Sequence, residues 1–162
     1  MYFINYEDAP VEDIAYDLTD TDLIATINPT PSTVMAYKYE LKGTSTLDQT
    51  PTSSRENGTT FFEQVLTLNL KKQDIQTHKE IKLLTQGRPH IVVRDRNGNF
   101  FYVGLEWGAE VTGGTISTGA AMGDFNGYNL TLTAQEKAPA NFIDSADEAG
   151  LADVGLLVVP GV

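Results

Sequence analysis

His90-Ile91-Val92-Val93-Arg94-Asp95-Arg96-Asn97-Gly98-Asn99-Phe100-Phe101-Tyr102-Val103-Gly104-Leu105 decides the fold class of this chain. Two runs of β-branched and aromatic residues, His90–Asp95 and Phe100–Leu105, flank a polar Arg96–Asn99 turn. Asn-Gly between two such runs is the strongest short-range signal for an antiparallel hairpin, here with a type I′ turn. Tyr128–Lys137 extends the reading. Tyr128, Leu130, Leu132 and Ala134 alternate with Asn129, Thr131, Thr133 and Gln135, the pattern of an antiparallel strand with one wet face. Phe62, Leu66, Leu68 and Leu70 alternate with Glu63, Val65, Thr67 and Asn69, a half-buried strand, and Thr33–Leu41 reads as a further strand. Helix formers dominate Gln73–Gln86, followed by Gly87 as a cap and Pro89 as a stop. The expected fold is mainly β, an antiparallel sandwich or partly closed barrel with one helix and extended terminal arms.

The connecting segments are less regular. Residues 43–60 are polar and poor in apolar side chains, and are expected to form a long loop. Leu18–Ile27 fits a short helix or a strand equally. Ser145-Ala146-Asp147-Glu148 has capping-box spacing and is expected to start a short helix.

Charge divides the chain unequally. Of the 22 acids, seven lie in residues 1–37 and four in residues 138–162, and neither segment holds a Lys or Arg. Residues 38–137 hold eleven charges of each sign, so the net charge of −11 belongs to the two ends. The organisation expected from this is an acidic N-terminal arm (1–32), a β-rich core domain (33–143) and a C-terminal arm (144–162). At 162 residues the chain has room for one core plus extensions. Such acidity disfavours binding to nucleic-acid phosphates, which requires clustered bases. The N-terminal residues have no basic, apolar pattern of a secretory signal, and the longest apolar run, Leu156–Val159, is too short to cross a bilayer. The chain has no cysteine, hence no disulfide, thiolate metal site or cysteine nucleophile.

No motif carries a reaction. Asp95, Asn97, Asn99 and Glu106 have the spacing of a calcium loop, but Phe100 stands where glycine is needed, and a hairpin turn explains these residues better. The glycine-rich segment 108–127 contains no cation to hold a phosphate, so a structural loop is expected. His78 and His90, the two histidines, lack metal-ligand spacing. No cofactor, metal or catalytic residue is expected. Trp107 and Phe125 stand in loop-like positions and are candidate intersubunit contacts, as are Leu156, Leu157, Val158 and Val159.

From about Thr60 to Ile143 the chain resembles virion structural proteins of tailed bacteriophages, most of all tail-tube and neck subunits. The resemblance rests on the order strand, helix, hairpin, then Glu110-Val111-Thr112-Gly113-Gly114 and Ala121-Met122-Gly123-Asp124-Phe125-Asn126-Gly127-Tyr128-Asn129-Leu130-Thr131-Leu132. It covers about half the chain and implies no catalysis. It implies a homo-oligomeric ring or tube in the tail or neck through which DNA passes, in contact with other virion proteins and assembled in the host bacterial cytoplasm. On that reading there is no specific nucleic-acid binding and no membrane partner, and Glu7, Asp8, Glu12 and Asp13 are candidate DNA-repelling acids. Alternatives are a capsid decoration protein, outside the head, and a β-sandwich binding module.

Overall fold

The computed structural model describes residues 1–27, 34–41 and 44–160. Residues 28–32 of the expected N-terminal arm, Thr33 of the expected strand, residue 43 of the expected loop, and Gly161 and Val162 lie outside the described residues.

Among the described residues, twelve strands form two sheets. In chain order they are β1 (Tyr2–Ile4), β2 (Ala15–Tyr16), β3 (Leu23–Thr26), β4 (Val34–Lys38), β5 (Thr46–Ser54), β6 (Thr59–Lys71), β7 (His90–Arg94), β8 (Phe100–Val103), β9 (Glu110–Ser117), β10 (Gly127–Glu136), β11 (Asn141–Ile143) and β12 (Leu156–Pro160). Helix α1 (Ile75–Leu84) follows β6. The larger sheet, ordered β12-β4-β1-β7-β8-β11-β3-β2, curls into a half-barrel, and the smaller is β5-β6-β10-β9. The architecture is therefore both things expected, a partly closed barrel whose outer face makes a sandwich with a second sheet.

The pleat of the larger sheet explains its two cores. Successive side chains of a strand point to opposite faces. Tyr2 and Ile4 of β1, Val92 of β7, and Phe100 and Tyr102 of β8 point into the half-barrel. Phe3, Ile91 and Val103 point outward onto Leu66, Leu68, Tyr128, Leu130 and Leu132 of the smaller sheet and onto Ile81 of α1. Burying an apolar side chain of this size contributes about 1.5–3 kcal/mol.

The acidic ends are built into the half-barrel. Tyr2, Ile4, Ala9, Ile14, Ile24, Ile27, Leu151, Val154 and Leu156 are nine of the fifteen buried residues that fill it. β1 lies between β4 and β7, both antiparallel to it. Two parallel pairs tie the ends in further, β3 to β11 and β12 to β4. Apolar residues widely spaced among acids form these strands because each needs only one or two inward positions.

Four local expectations are corrected. The glycine-rich segment 108–127 is not all loop: Glu110–Ser117 is strand β9, with Gly113 and Gly114 opposite Thr131 and Leu130 of β10. Residues 46–54 are not loop but strand β5, paired with β6 from Thr46↔Thr67 to Ser54↔Thr59. Its backbone is satisfied by β6, its threonines favour extended backbone, and Pro51 is tolerated because β5 is a sheet edge. The β7–β8 turn is not type I′. Gly98 has φ 99° while Asn97 keeps a negative φ, and Asp95 Oδ1 accepts the Asn99 N–H at 2.8 Å. That is a type I turn closed by one left-handed glycine, the geometry of a three-residue hairpin loop. Ser145–Glu148 starts no α-helix; a 3-10 turn at Ala149–Leu151 follows, with the Gly150 N–H donating to Asp147 Oδ1.

Because β1 serves both cores, Ile4→Ala and Phe3→Ala are each expected to lower stability by about 2–5 kcal/mol. The denaturation midpoint measures this. A change under 1 kcal/mol in both variants would show that β1 is not structurally central.

Candidate assembly surface

Strand β12 places one candidate contact inside and others outside. Leu156 is fully buried against its own half-barrel and is not free to meet a neighbour. Val158 packs partly against the same core. Leu157 and Val159 take the opposite face, opposite Met35 and Tyr37 of β4. Leu157 is 45% exposed and Met35 48%. The outer edge of β12 has no partner strand among the described residues. An uncharged, apolar edge strand beside exposed Leu and Met is a template for strand addition.

This shelf leads to a cavity of about 720 Å³ between β1, β4, β6 and α1, floored by Phe3, Tyr37, Tyr39, Leu68, Ile81 and Leu84. The Tyr39 hydroxyl donates to Glu80 of α1, and burial together with that carboxylate pushes the phenol pKa up. Glu7 and Asp8 stand at the cavity with Arg88, whose guanidinium lies 5.0 Å from the Tyr6 ring centre.

The remaining candidates lie elsewhere. Trp107, 54% exposed, follows β8, and Phe125, 38% exposed, lies in the β9–β10 connection. The structure does not gather them with β12. Next to Trp107, Gly108 has φ 73°, and a Cβ there would sit 2.6 Å from the Arg88 carbonyl oxygen, so only glycine fits. Glu7 and Asp8 occupy a 3-10 turn at Tyr6–Asp8, and Glu12 and Asp13 another at Val11–Asp13. Glu7, Asp8 and Glu12 are exposed and Asp13 is half-buried.

The calcium-loop spacing resolves as a turn. Asp95 is engaged by Asn97 and Asn99 within the hairpin. Among the described residues no three His, Cys, Asp or Glu side chains converge to hold a metal, and no helix is long and apolar enough to cross a membrane.

A buried polar group at the junction of the sheets escapes the motif reading. Glu136 Oε1 accepts the backbone N–H groups of Glu106 and Trp107, each at 3.0 Å. Gln64 Oε1 accepts the Gly104 N–H at 3.1 Å, and its amide donates to the Ala138 carbonyl. His90 Nδ1 donates to the Gly104 carbonyl, and its ring stacks on Tyr6 at 5.0 Å. Among the described residues, His90 Nε2 and the Tyr102 hydroxyl lie buried with no partner at hydrogen-bonding geometry. The signal for two of these was present: Gln64 and Glu136 share the inward parity of Leu66 and Ala134 respectively. Burial raises the Glu136 pKa, against the pull of its two N–H donors, and burial lowers that of His90.

Compared with known protein families, curated proteins and solved structures, the chain matches none.

A raised carboxyl pKa means that the folded chain holds its proton at pH values where the unfolded chain has lost it. The group therefore costs stability as pH rises from the ordinary glutamate value of 4.5 through the folded value. Glu136→Gln keeps the acceptor and removes the charge. Its stability relative to the native chain should rise between pH 4.5 and 7, read from melting temperatures across that range. A constant difference would refute an unfavourable buried charge.

Proposed function

We propose that this chain is a non-enzymatic structural subunit of a tailed-phage virion, forming a ring or tube in the tail or neck through which DNA passes. The observation that carries the proposal is the open, uncharged edge of β12 with exposed Leu157 and Met35 beside it. A ring needs a surface on each subunit that meets a different surface on the next, and sheet edges supply one such contact through backbone hydrogen bonds. The β5–β6 ribbon supports the same reading. Its tip, Arg55–Thr60, is exposed, and its Thr59–Phe61 end extends past the β10 pairing, which stops at Phe62. Such a ribbon is suited to reach a neighbouring subunit. The exposed acids Glu7, Asp8 and Glu12 suit a lumen that lets DNA slide by like-charge repulsion. The exposed Trp107 favours a second reading, a β-sandwich module that binds a partner through that loop.

Negative-stain images and light scattering of the purified chain should show rings or tubes that grow with concentration, and Leu157→Lys should abolish them while leaving the fold intact. A monomer at every concentration would overturn the proposal. In assembled particles, reversing Glu7, Asp8, Glu12 and Asp13 to lysine should create DNA binding that the native particle lacks. Particles that still ignore DNA would place those acids away from the lumen.

A further inference from the structure

Helix α1 buries one side and leaves the other without a partner. Ile81 is buried and Leu84 packs partly into the inter-sheet core. Ile75, Lys79 and Leu83 recur every four residues along the outer side, with Lys82 beside them. Ile75 is 76% exposed and Leu83 69%, and neither lysine is in an ion pair among the described residues. Residues 71–88 hold five bases, Lys71, Lys72, Lys79, Lys82 and Arg88, against two acids. One of those acids, Glu80, already accepts from Tyr39. In a chain of net charge −11, this face is apolar and basic.

Its complement lies on the other flank of the larger sheet. A cavity of about 440 Å³ opens between β3 and β11, with Asp20, Asp22 and Asp144 among its walls and Leu23 and Phe142 providing apolar surface. Phe142 is 43% exposed although its ring packs at a tilt on Phe101, 4.7 Å between centroids. No base lines the cavity. One acidic end of the chain supplies Asp20 and Asp22, the other Asp144.

We propose that the outer face of α1, through Ile75, Lys79, Lys82 and Leu83, docks on the Asp20–Asp22–Asp144 cavity of a second copy of this chain, Leu83 meeting Phe142 and the lysines meeting the carboxylates. Both halves combine exposed apolar side chains with charges of opposite sign. The two surfaces cannot satisfy each other within one chain. Helix α1 packs on the β1 side of the larger sheet, whereas the cavity lies at β11 and β3, three and four strand spacings from β1, roughly 14–19 Å along the sheet. A contact between different surfaces of identical chains propagates head to tail, closing into a ring or stacking into a filament. The inference rests on the subunit reading above and gives that reading a second contact, separate from the β12 edge.

The test uses the full chain and three samples in sedimentation velocity over a concentration series, with circular dichroism to verify folding. Lys79→Glu with Lys82→Glu is one variant and Asp22→Lys with Asp144→Lys the other. All four side chains are exposed, and none makes a side-chain hydrogen bond among those the structure describes. Each variant alone should raise the midpoint concentration for association about tenfold or more, since like charges then face each other. An equimolar mixture should associate again, because every helix finds a cavity of opposite sign. Association of the native chain should weaken as salt shortens the screening length below its physiological value of about 8 Å. Native-like association of either folded variant, or a mixture that fails to recover, would overturn this contact and leave the ring reading standing. A native chain that remains monomeric would remove both.

Discussion

The structure depends on three residues, Tyr2, Phe3 and Ile4, held between two strands. β1 has β4 on one side and β7 on the other, so its backbone is paired along both edges. Its side chains alternate between two separate cores, Tyr2 and Ile4 to the half-barrel and Phe3 to the inter-sheet layer. A short strand in that position couples the cores, since neither can be filled without it. The T-shaped contact of Phe3 with Tyr39, at 5.2 Å, carries the coupling on toward α1 through the Tyr39–Glu80 hydrogen bond.

The parts of the fold that were legible in the sequence are those whose pattern is local. The β7–β8 hairpin, the alternation of β6 and β10, and the helix between Gln73 and Gln86 follow from side-chain period and turn residues within a few positions. Strand β5 was hidden because its apolar content is one half-buried Leu47 and its order comes from β6. The terminal strands were hidden for a related reason. β1, β3 and β12 are three to five residues long, and their partners lie far along the chain, so composition spoke for the acids between them. At the candidate surfaces, Leu157 and Leu156 are neighbours of the same type, and only the register with Met35 and Val34 tells which is outside. The basic, apolar outer face of α1 was readable only after Ile81 had been assigned inward.

The polar interior sets two opposed dependences on pH. Glu136, with its raised pKa, favours the fold under acid conditions. His90, with its lowered pKa, resists protonation in the fold but not in the unfolded chain, so stability is lost as pH falls through the ordinary histidine value of 6.5. Their combination penalises either extreme around neutrality. Glu136 reaches one candidate contact, through the Trp107 N–H, whereas the β12 and α1 surfaces are defined by shape, apolar exposure and fixed charges.

The parallel pairings of β3 with β11 and of β12 with β4 carry a consequence for the order of events during synthesis. Residues 2–27 cannot complete their sheet until residues 141–160 have been synthesised, because β11 is the strand that joins β3 to β8 and β12 is the outer partner of β4. The β5–β6 and β7–β8 hairpins close over short stretches and can form early. The half-barrel must instead wait for contacts more than a hundred residues apart, which makes its closure the slow step. Until then the nascent chain displays Tyr2, Ile4, Ile24 and Val34, and repulsion among the eleven terminal acids disfavours their meeting counterparts on other unfinished chains.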